Sequence, residues 1–428
     1  MGPRRTSGPD LRLYDLVVFG ATGDTGHAVT QYLTRRAPEG LRWAIAGRSE
    51  SKLRQLHAAL GVSKDVGIIL ASCDDAESMT QMAQSTRCVL TTAGPYRVLG
   101  EAVILACLAR GTHYVDITGE VDWVGAMKEK YAAQAKAAGI CLCSFCGYDC
   151  VPSELSVFLA AKALPAAASL RTAECVFSIS GGLGGAGAPR GTLITMLTAA
   201  GRPLSFGLGL MRYAPPQQRM PLLRSLLLWL LPWWSRGVGA FTVPHFMGWC
   251  NTPVVHASCA ATPGRQANEM RFSDRMLLPI PHPWWSLWGL LPVLVVYIAC
   301  ILASPAILLL VAIPPVRRWA LRSLEATYTY AGSEQAQVTV RTRVTGSGGE
   351  VASCTLTCPG DPGIRCTALL AAETALTVLE ARAQLGAGSP SGMTTPVLAL
   401  GDALVHRLRS AGVQLVVSSS EQDGGMRD

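Results

Sequence analysis

The first 150 residues alternate short apolar runs with longer stretches of mixed apolar and polar positions. The apolar runs predict six strands, at residues 16–19, 42–47, 66–70, 88–91, 112–117 and 140–145. The stretches between them have the spacing of amphipathic helices. This alternation predicts an open, doubly wound, mostly parallel sheet with helices on both faces. We therefore predict an N-terminal Rossmann domain of the α/β class over residues 11–150, after a polar, disordered leader at residues 1–10.

From residue 151 the pattern changes and predicts a second α/β domain over residues 151–428. Strands are predicted at residues 171–180, 327–330, 335–345, 351–358 and 413–417, and helices at residues 191–200, 367–384 and 397–410. Each strand needs a partner, and residues 171–180 are the natural partner of the later strands. A domain of this kind suits substrate binding or dimerisation, and a homodimer is one assembly that it permits.

An apolar segment at residues 276–316 has no charged side chain apart from His282, which we expect to be neutral. Its centre, Leu290–Ile313, is long enough to span a bilayer, although Pro305 interrupts it. The strands before and after it must pair with each other, and sheets do not form across a bilayer. We therefore predict a membrane-anchoring hairpin or re-entrant segment bent near Pro305, with a buried helical pair as the alternative. Residues 222–234 are apolar but shorter, and predict a helix in the membrane interface or at a domain junction.

Composition supports the membrane interpretation. The 428-residue chain is 49% hydrophobic and only 15% charged, which favours a membrane-associated protein over an ordinary soluble one. Between Arg171 and Arg322 there are 13 arginines, no lysine and three acidic residues, and eight of the ten tryptophans lie between Trp229 and Trp319. Arginine and tryptophan beside apolar runs indicate a surface with anionic lipid headgroups. We predict no nucleic-acid partner, because no nucleic-acid motif accompanies the basic region.

The cysteines indicate a reducing compartment and no metal. Fourteen of them occur without a signal peptide, which favours reduced thiols in the cytosol. Cys141, Cys143, Cys146 and Cys150 are clustered, but the first two lie in a predicted buried strand, where cysteine acts as a small hydrophobic residue. The spacing also lacks the paired C-x-x-C motifs of a structural zinc site.

The first apolar run ends in three glycines spaced three residues apart. In this position glycine allows, in turn, a sharp bend of the chain, a close approach of ligand to backbone, and tight packing of the next helix on the strand. The free N–H groups and the dipole at the start of that helix attract a pyrophosphate. The sequence therefore predicts a dinucleotide site at this turn, formed by Gly20, Ala21, Thr22, Gly23, Asp24, Thr25 and Gly26.

The end of the second strand distinguishes between two cofactors. An NAD site needs an acidic residue here to accept the hydroxyl protons of the adenosine ribose. This chain has Arg48 and Ser49 instead, with Lys52 one turn into the next helix. A guanidinium and a hydroxyl suit a 2′-phosphate, so the sequence favours NADP over NAD. An ordinary solvated arginine at a helix start is the alternative interpretation.

Two further loops are predicted to contact the cofactor. Asp74 follows the third strand, where it can receive the adenine amine or simply cap a loop. Ala93, Gly94 and Pro95 follow the fourth strand, where the ribose and nicotinamide would pass, although a plain turn explains them equally well.

Five side chains lie near the carboxyl ends of predicted strands, the edge at which such sheets bind ligands. They are Tyr96, His113, Glu120, Tyr148 and Asp149. Tyr96 or Tyr148 could donate a proton to an oxygen, as general acids do, but each also suits a structural role. The chain has no Tyr-x-x-x-Lys pair of the short-chain dehydrogenase type, and the sequence assigns no catalytic residue.

Seven segments together resemble the saccharopine dehydrogenase-like oxidoreductases, a family that includes the mycobacterial trans-acting enoyl reductases. They are Leu16–Gly26, Trp43–Leu53, Ala93–Gly100, Val115–Glu120, Gly147–Leu155, Val243–Gly248 and Thr394–Pro396. The resemblance implies a Rossmann domain, a second α/β domain with a mixed sheet, and association with lipid droplets or membranes. The apolar insertion departs from the soluble enzyme of the lysine pathway.

The leading hypothesis is an NADP-dependent oxidoreductase that reduces an enoyl or keto group of a hydrophobic, lipid-like or acyl substrate. Its expected place is the cytosolic face of a lipid droplet or of the endoplasmic reticulum, with the mitochondrion as an alternative. A non-catalytic dinucleotide-binding scaffold or redox sensor on a lipid surface is the second hypothesis. A true saccharopine reductase is the third.

Overall fold

The computed structural model describes residues 12–181, 190–200, 232–261, 270–277, 311–327 and 333–420, with Val295, Ile298 and Ala299. The leader, the centre of the apolar segment and most of residues 222–234 lie outside these ranges, so the predictions made for them stay predictions.

Fourteen strands are described, and they are numbered here in chain order. They are β1 (Tyr14–Phe19), β2 (Trp43–Gly47), β3 (Gly67–Leu70), β4 (Thr86–Thr91), β5 (His113–Asp116), β6 (Cys141–Cys143), β7 (Leu170–Ser180), β8 (Trp233–Ser235), β9 (Ala240–Pro244), β10 (Arg271–Leu277), β11 (Gln337–Gly346), β12 (Val351–Pro359), β13 (Gly392–Thr394) and β14 (Gln414–Ser420).

The described α-helices are numbered in the same way. They are α1 (Asp24–Arg36), α2 (Glu50–Ala59), α3 (Ala76–Ser85), α4 (Tyr96–Arg110), α5 (Val121–Ala138), α6 (Val151–Lys162), α7 (Arg190–Ala200), α8 (Gly248–Ala261), α9 (Pro314–Thr327), α10 (Thr367–Leu385) and α11 (Pro396–Ser410).

The first sheet is parallel throughout and confirms the predicted Rossmann-like architecture. Its order is β13-β6-β5-β4-β1-β2-β3. The chain runs outward from β1 to β3, then crosses to β4 and runs outward in the other direction. In such sheets the ligand crevice opens at this reversal, outside the carboxyl ends of β1 and β4.

Both faces of the first sheet are covered, as the continuous apolar sequence of its strands requires. Val17 and Phe19 of β1 pack into the core beneath α3, α4 and α5. Leu16 and Val18 point the other way and join the larger core that includes Leu370 of α10. The helix α10 packs against α1, β1, β4 and β5, although it lies more than 200 residues later in the chain.

The second sheet is mixed, in the order β14-β12-β11-β7-β10-β9-β8. The pairing of β10 with β7 is parallel, and the other pairings are antiparallel. The prediction that residues 171–180 pair with the later strands is confirmed, since β7 lies beside β11 along its whole length. Of the described strands, β13 alone joins the first sheet from the C-terminal half of the chain, and it extends that sheet beyond β6.

Some predicted boundaries were wrong, for reasons that lie outside the local sequence. The sequence predicts a helix over residues 101–110, but α4 begins at Tyr96. The distant carboxylate of Glu120 accepts hydrogen bonds from the N–H groups of Tyr96 (2.8 Å) and Arg97 (3.1 Å) and so caps the earlier start. The helix expected at residues 222–234 is wrong at its end: Trp233 and Trp234 lie in strand β8, which pairs with β9. Thr327, expected to begin a strand, ends α9.

The described ends of the apolar segment belong to the fold on either side of it. Met276 and Leu277 close β10, and Pro314 begins α9. Val295 and Ile298 are helical and more than half exposed, at 56% and 52%. Within the ranges described, no helix combines the length and the apolar character needed to cross a membrane.

Candidate functional site

The glycine turn between β1 and α1 closes tightly on the loop after β4. Gly20 has a φ of +82°, and a Cβ placed on it would lie 2.9 Å from the backbone nitrogen of Ala93. A Cβ on Gly26 would clash with the carbonyl oxygen of Gly20. Both positions therefore need glycine: the first for its backbone conformation and its close approach, the second for packing.

The start of α1 is open to a ligand. Gly23 is the N-cap residue, and no side chain caps the helix. Among the residues that the structure describes, a Cβ on Gly23 would meet the oxygen of Gly20 at 3.4 Å and no other atom within 4 Å. Asp24, in the first turn, pairs with Arg190 of α7 at 3.5 Å, which brings a guanidinium close to the turn. An uncapped helix start in a cradle without side chains fits a pyrophosphate.

Arg48 lies at the end of β2, beside the glycine turn. The N–H groups of Gly20 and Ala21 donate to the carbonyl oxygen of Ala46 at 3.0 and 3.2 Å, which holds the end of β2 beside the glycine turn. Arg48 is exposed and follows β2 directly. Its guanidinium has no hydrogen bond or ion pair with any residue described, and it is therefore available to an anion.

Some of the other predicted cofactor residues cap a helix, and others have no such role among the described residues. The hydroxyl of Ser49 caps α2 by accepting from the N–H of Lys52 at 3.5 Å, so it is partly committed. Asp75 caps α3, which leaves the exposed Asp74 without that role. The loop of Ala93, Gly94 and Pro95 forms the wall of the crevice opposite the glycine turn.

Tyr96 is committed to the backbone of the first sheet. Its hydroxyl donates to the carbonyl oxygen of Thr91 at 3.0 Å and accepts from the N–H of Ile117 at 3.5 Å. Burial raises the pKa of Tyr96 well above its usual value. Tyr96 therefore joins β4 to the end of β5 and has no free proton to offer.

His113 and Glu120 also have structural partners. The Nδ1 atom of His113 accepts from the N–H of Cys141 at 3.0 Å, and burial lowers the pKa of His113 to about 4, so the ring is neutral at pH 7. Glu120 caps α4, and burial raises the pKa of its carboxyl despite the two N–H groups that stabilise the charge.

Tyr148 is the first member of a buried hydrogen-bonded chain that links the two halves of the protein. Its hydroxyl lies 3.2 Å from Nε2 of His245, and Nδ1 of His245 lies 3.1 Å from Oδ2 of Asp274. Asn251 donates to the same carboxylate oxygen at 2.6 Å. Because a carboxylate only accepts, Nδ1 of His245 donates to Asp274, and Nε2 accepts from Tyr148. Phe177 stacks on the imidazole, with ring centroids 4.1 Å apart.

Asp149 differs from these four groups. It lies in the loop between β6 and α6, at the carboxyl edge of the first sheet, and it is only partly buried. Its carboxylate makes no hydrogen bond or ion pair within the described parts of the chain. A Cβ placed on Gly119 would lie 3.2 Å from Oδ2 of Asp149, 3.7 Å from Met247 and 3.8 Å from Trp249. Desolvation in these surroundings raises the pKa of Asp149 to about 6.

The sequence did not single out His245, Asn251 or Asp274. They come from the loop after β9, from α8 and from β10, and only the fold brings them together. The one available signal was the segment Val243–Gly248, which contributed to the family resemblance and contains His245. For metal, no cluster of three or more suitable side chains occurs among the residues that the structure describes.

Comparison with known proteins agrees with this geometry. Residues 16–143 match the family model of the saccharopine dehydrogenase NADP binding domain. A putative trans-acting enoyl reductase of Mycobacterium tuberculosis is 31% identical over 432 residues, which cover 94% of this chain and 97% of that protein. A lipid droplet localized protein of Caenorhabditis elegans is 43% identical over 150 residues, which cover 34% of this chain and 35% of that protein.

Among solved structures, the apo saccharopine dehydrogenase (L-Glu forming) of Saccharomyces cerevisiae superposes with a TM-score of 0.53. The superposition covers 95% of this chain and 100% of the yeast chain at 12% identity, so it shows the fold alone. The match to the NADP binding domain confirms the predicted cofactor. The chain belongs to the saccharopine dehydrogenase-like family of dinucleotide-dependent oxidoreductases, which includes the trans-acting enoyl reductases.

Proposed function

We propose that the protein is an NADPH-dependent reductase of an enoyl or keto group on a hydrophobic, lipid-like substrate. Two features together support this proposal: the helix start of α1 has no side-chain cap, and the guanidinium of Arg48 has no partner among the residues that the structure describes. The first feature suits the pyrophosphate of a dinucleotide, and the second suits the additional phosphate that distinguishes NADPH from NADH.

In this proposal each loop at the carboxyl edge of the first sheet has a separate task. The glycine turn binds the pyrophosphate, Arg48 binds the 2′-phosphate, and the loop Ala93–Pro95 orients the nicotinamide half. NADPH supplies the hydride when it is bound. Trp249 and Met247 form an apolar wall beside Asp149 that excludes water from the reacting group.

A hydrophobic substrate and a lipid surface are supported by the relatives and by exposed aromatic side chains. One relative is named an enoyl reductase and another a lipid droplet localized protein. Large apolar side chains are exposed at Trp233 (58%), Phe246 (46%) and Trp319 (69%). Tryptophan at a surface is typical of proteins that contact the lipid headgroup region. We include in the proposal that the protein works on a membrane or lipid-droplet surface, held there by the apolar segment at residues 276–316.

The first experiment is calorimetric titration of the full-length, detergent-solubilised protein with NADPH and with NADH. We expect Arg48→Ala to weaken NADPH binding by about 1.5–3 kcal/mol, the value of a hydrogen bond to a charged group, and to leave NADH binding almost unchanged. Arg54→Ala is the matched control, because Arg54 is an exposed arginine of α2 that pairs with Glu50. Equal losses for both cofactors would contradict the 2′-phosphate assignment.

A second experiment separates the enzyme from the non-catalytic scaffold. Oxidation of NADPH is followed with a long-chain trans-2-enoyl thioester and with a long-chain methyl ketone, each in mixed micelles. The proposal expects one molecule of NADPH to be consumed for each molecule of one of these substrates. Selective NADPH binding without consumption of either would favour the scaffold, and consumption only with saccharopine would favour the lysine-pathway activity.

A further inference from the structure

Reduction of an enoyl or keto group needs a proton as well as a hydride, and the protein must hold a group that delivers it. Resting on the proposed function, we infer that Asp149 is the catalytic acid and that the buried chain of Tyr148, His245 and Asp274 positions it. Asp149 then touches the substrate, and the other three residues act through it.

The first support is the hydrogen bonding of the alternatives. Tyr96 and His113 are bonded to the backbone, and Glu120 caps α4. Tyr148 is only 2% exposed as a whole residue, and its hydroxyl donates to His245. Asp149 alone among the five side chains at this edge has no partner within the described chain and is partly open. A substrate oxygen or carbon can therefore approach it without breaking a bond inside the protein.

The second support is the shape around the carboxyl. Gly119, which follows β5, lies against Asp149, Met247 and Trp249, and any larger side chain would fill the space beside Oδ2 of Asp149. The carboxyl therefore has room on the side that faces the loop after β5, between apolar walls. These walls keep water away and favour the protonated form, which is the form that a general acid needs near neutral pH.

The third support is the rigidity of the neighbouring residue. Tyr148 precedes Asp149. Its backbone N–H donates to Thr367 Oγ1 at 3.2 Å, and its hydroxyl is bonded to His245. The titratable groups that face Asp149 are Tyr148, Cys150, Cys250 and His245. Burial raises the pKa values of the tyrosine and both thiols, so these three are neutral. Among these groups, an electrostatic interaction with His245 opposes the effect of burial on the pKa of Asp149.

In the proposed step the substrate gains a hydride and a proton. The π bond of the substrate breaks, and one of its carbons receives a hydride with two electrons from NADPH, which is thereby oxidised to NADP⁺. The O–H bond of the Asp149 carboxyl breaks, and its proton forms a new bond to the carbonyl oxygen of a keto substrate or to the α-carbon of an enoyl substrate. Asp149 is left as a carboxylate and takes a proton from water before the next turnover.

The test compares Asp149→Asn with Asp402→Asn, a matched change at an exposed carboxyl of α11 that is 69% exposed. With the enoyl thioester or the methyl ketone, we expect Asp149→Asn to lower kcat at least 100-fold, the usual range for loss of a general acid. NADPH binding by calorimetry should change less than twofold. Full activity of Asp149→Asn in a protein that still oxidises NADPH would overturn the inference and leave the proposed function standing.

A second readout does not depend on turnover. Infrared difference spectra of the full-length protein, with and without NADPH, should show a carboxyl titration near pH 6 that is missing from Asp149→Asn, beside those of Asp116 and Glu154, which the substitution leaves in place. If no such carboxyl is found, the inference fails whatever the activity. If the wild type neither binds nor oxidises NADPH, the proposed function itself fails.

The positioning role of His245 is tested by the pH profile. His245→Gln removes the electrostatic interaction that lowers the pKa of Asp149, so both the infrared titration and the upper limb of the kcat profile should move to higher pH. Tyr148→Phe should keep at least a tenth of kcat. Loss of activity in Tyr148→Phe, with activity kept in Asp149→Asn, would assign the proton to the tyrosine and overturn the inference.

Discussion

Two acidic residues five positions apart, Asp149 and Glu154, are both held in an apolar setting but have opposite surroundings. Burial raises the pKa of Asp149 to about 6 and that of Glu154 to about 7. The oxygens of Glu154 accept hydrogen bonds from the hydroxyls of Ser258 and Thr395 and from the N–H of Val397 at 3.4 Å. Asp149 accepts none within the described residues.

The difference shows that a raised pKa does not by itself identify a catalytic group. Glu154 joins α6 to α8 and to the start of α11, where Thr395 is the N-cap residue. It also lines an apolar pocket between α6, α8, α11 and the start of β7. Glu154 therefore stabilises the packing of three helices. The Asp149 carboxyl has no hydrogen-bond partner among the described residues and is available to bind a ligand.

The largest effect is expected in stability when each of the two carboxyls is removed in turn. Glu154→Ala should lower the free energy of unfolding by about 3 kcal/mol, because two buried hydroxyls and an N–H group lose their acceptor. Asp149→Ala should cost less than about 1 kcal/mol, since no partner is lost. Urea denaturation of both variants measures the difference. Equal losses would show that Asp149 has a structural role after all.

The second largest effect is expected in the pH dependence of stability. The folded-state pKa of Asp149 lies above its unfolded value, so the protonated form is favoured by folding. Its contribution is complete below about pH 4 and is lost as the pH rises through 6. Allowing for partial exposure, Asp149→Asn should gain about 1–2 kcal/mol relative to the wild type between pH 4 and pH 8. A gain that is the same at both pH values would disagree with the raised pKa.

The smallest effect is expected from a substitution that crowds the Asp149 carboxyl. Gly119→Ala places a Cβ 3.2 Å from the Asp149 carboxylate, so the carboxyl must shift by a few tenths of an ångström. We expect kcat to fall about threefold, or about 0.7 kcal/mol, with unfolding and NADPH binding unchanged. Steady-state kinetics beside urea denaturation measures this. A loss of stability without a change in kcat would show that the added methyl group disturbs the packing of the protein and not the catalytic group.

The sequence predicted most of the first sheet and the cofactor turn, because both depend on local features. The apolar runs that became β1 and β2, and the spacing of Gly20, Gly23 and Gly26, can be read without any knowledge of distant residues. The start of α4 could not be found in this way, because its cap is the carboxylate of Glu120, more than 20 residues later.

The polar chain beside Asp149 escaped prediction for a similar reason. His245 and Asp274 come from separate elements of the second sheet, and only the pairing of β9 with β10 places them together. A lone histidine in an apolar loop has no local pattern that distinguishes a packed side chain from one that supports a site. The role inferred for Asp149 likewise rests on its having no hydrogen-bond partner among the described residues. Only the folded structure shows which partners a side chain has.

The addition of β13 and α10 to the first sheet has a consequence for biosynthesis. Leu16, Val18 and Leu90 share a core with Leu370, so one face of the nucleotide-binding sheet is only partly covered, by α1 and α2, until α10 has been made. At about 5–20 residues per second, translation from residue 150 to β13 takes roughly 12–50 s. During that interval the nascent chain exposes part of an apolar sheet face and the unpaired edge of β6, which makes it a natural client for chaperones.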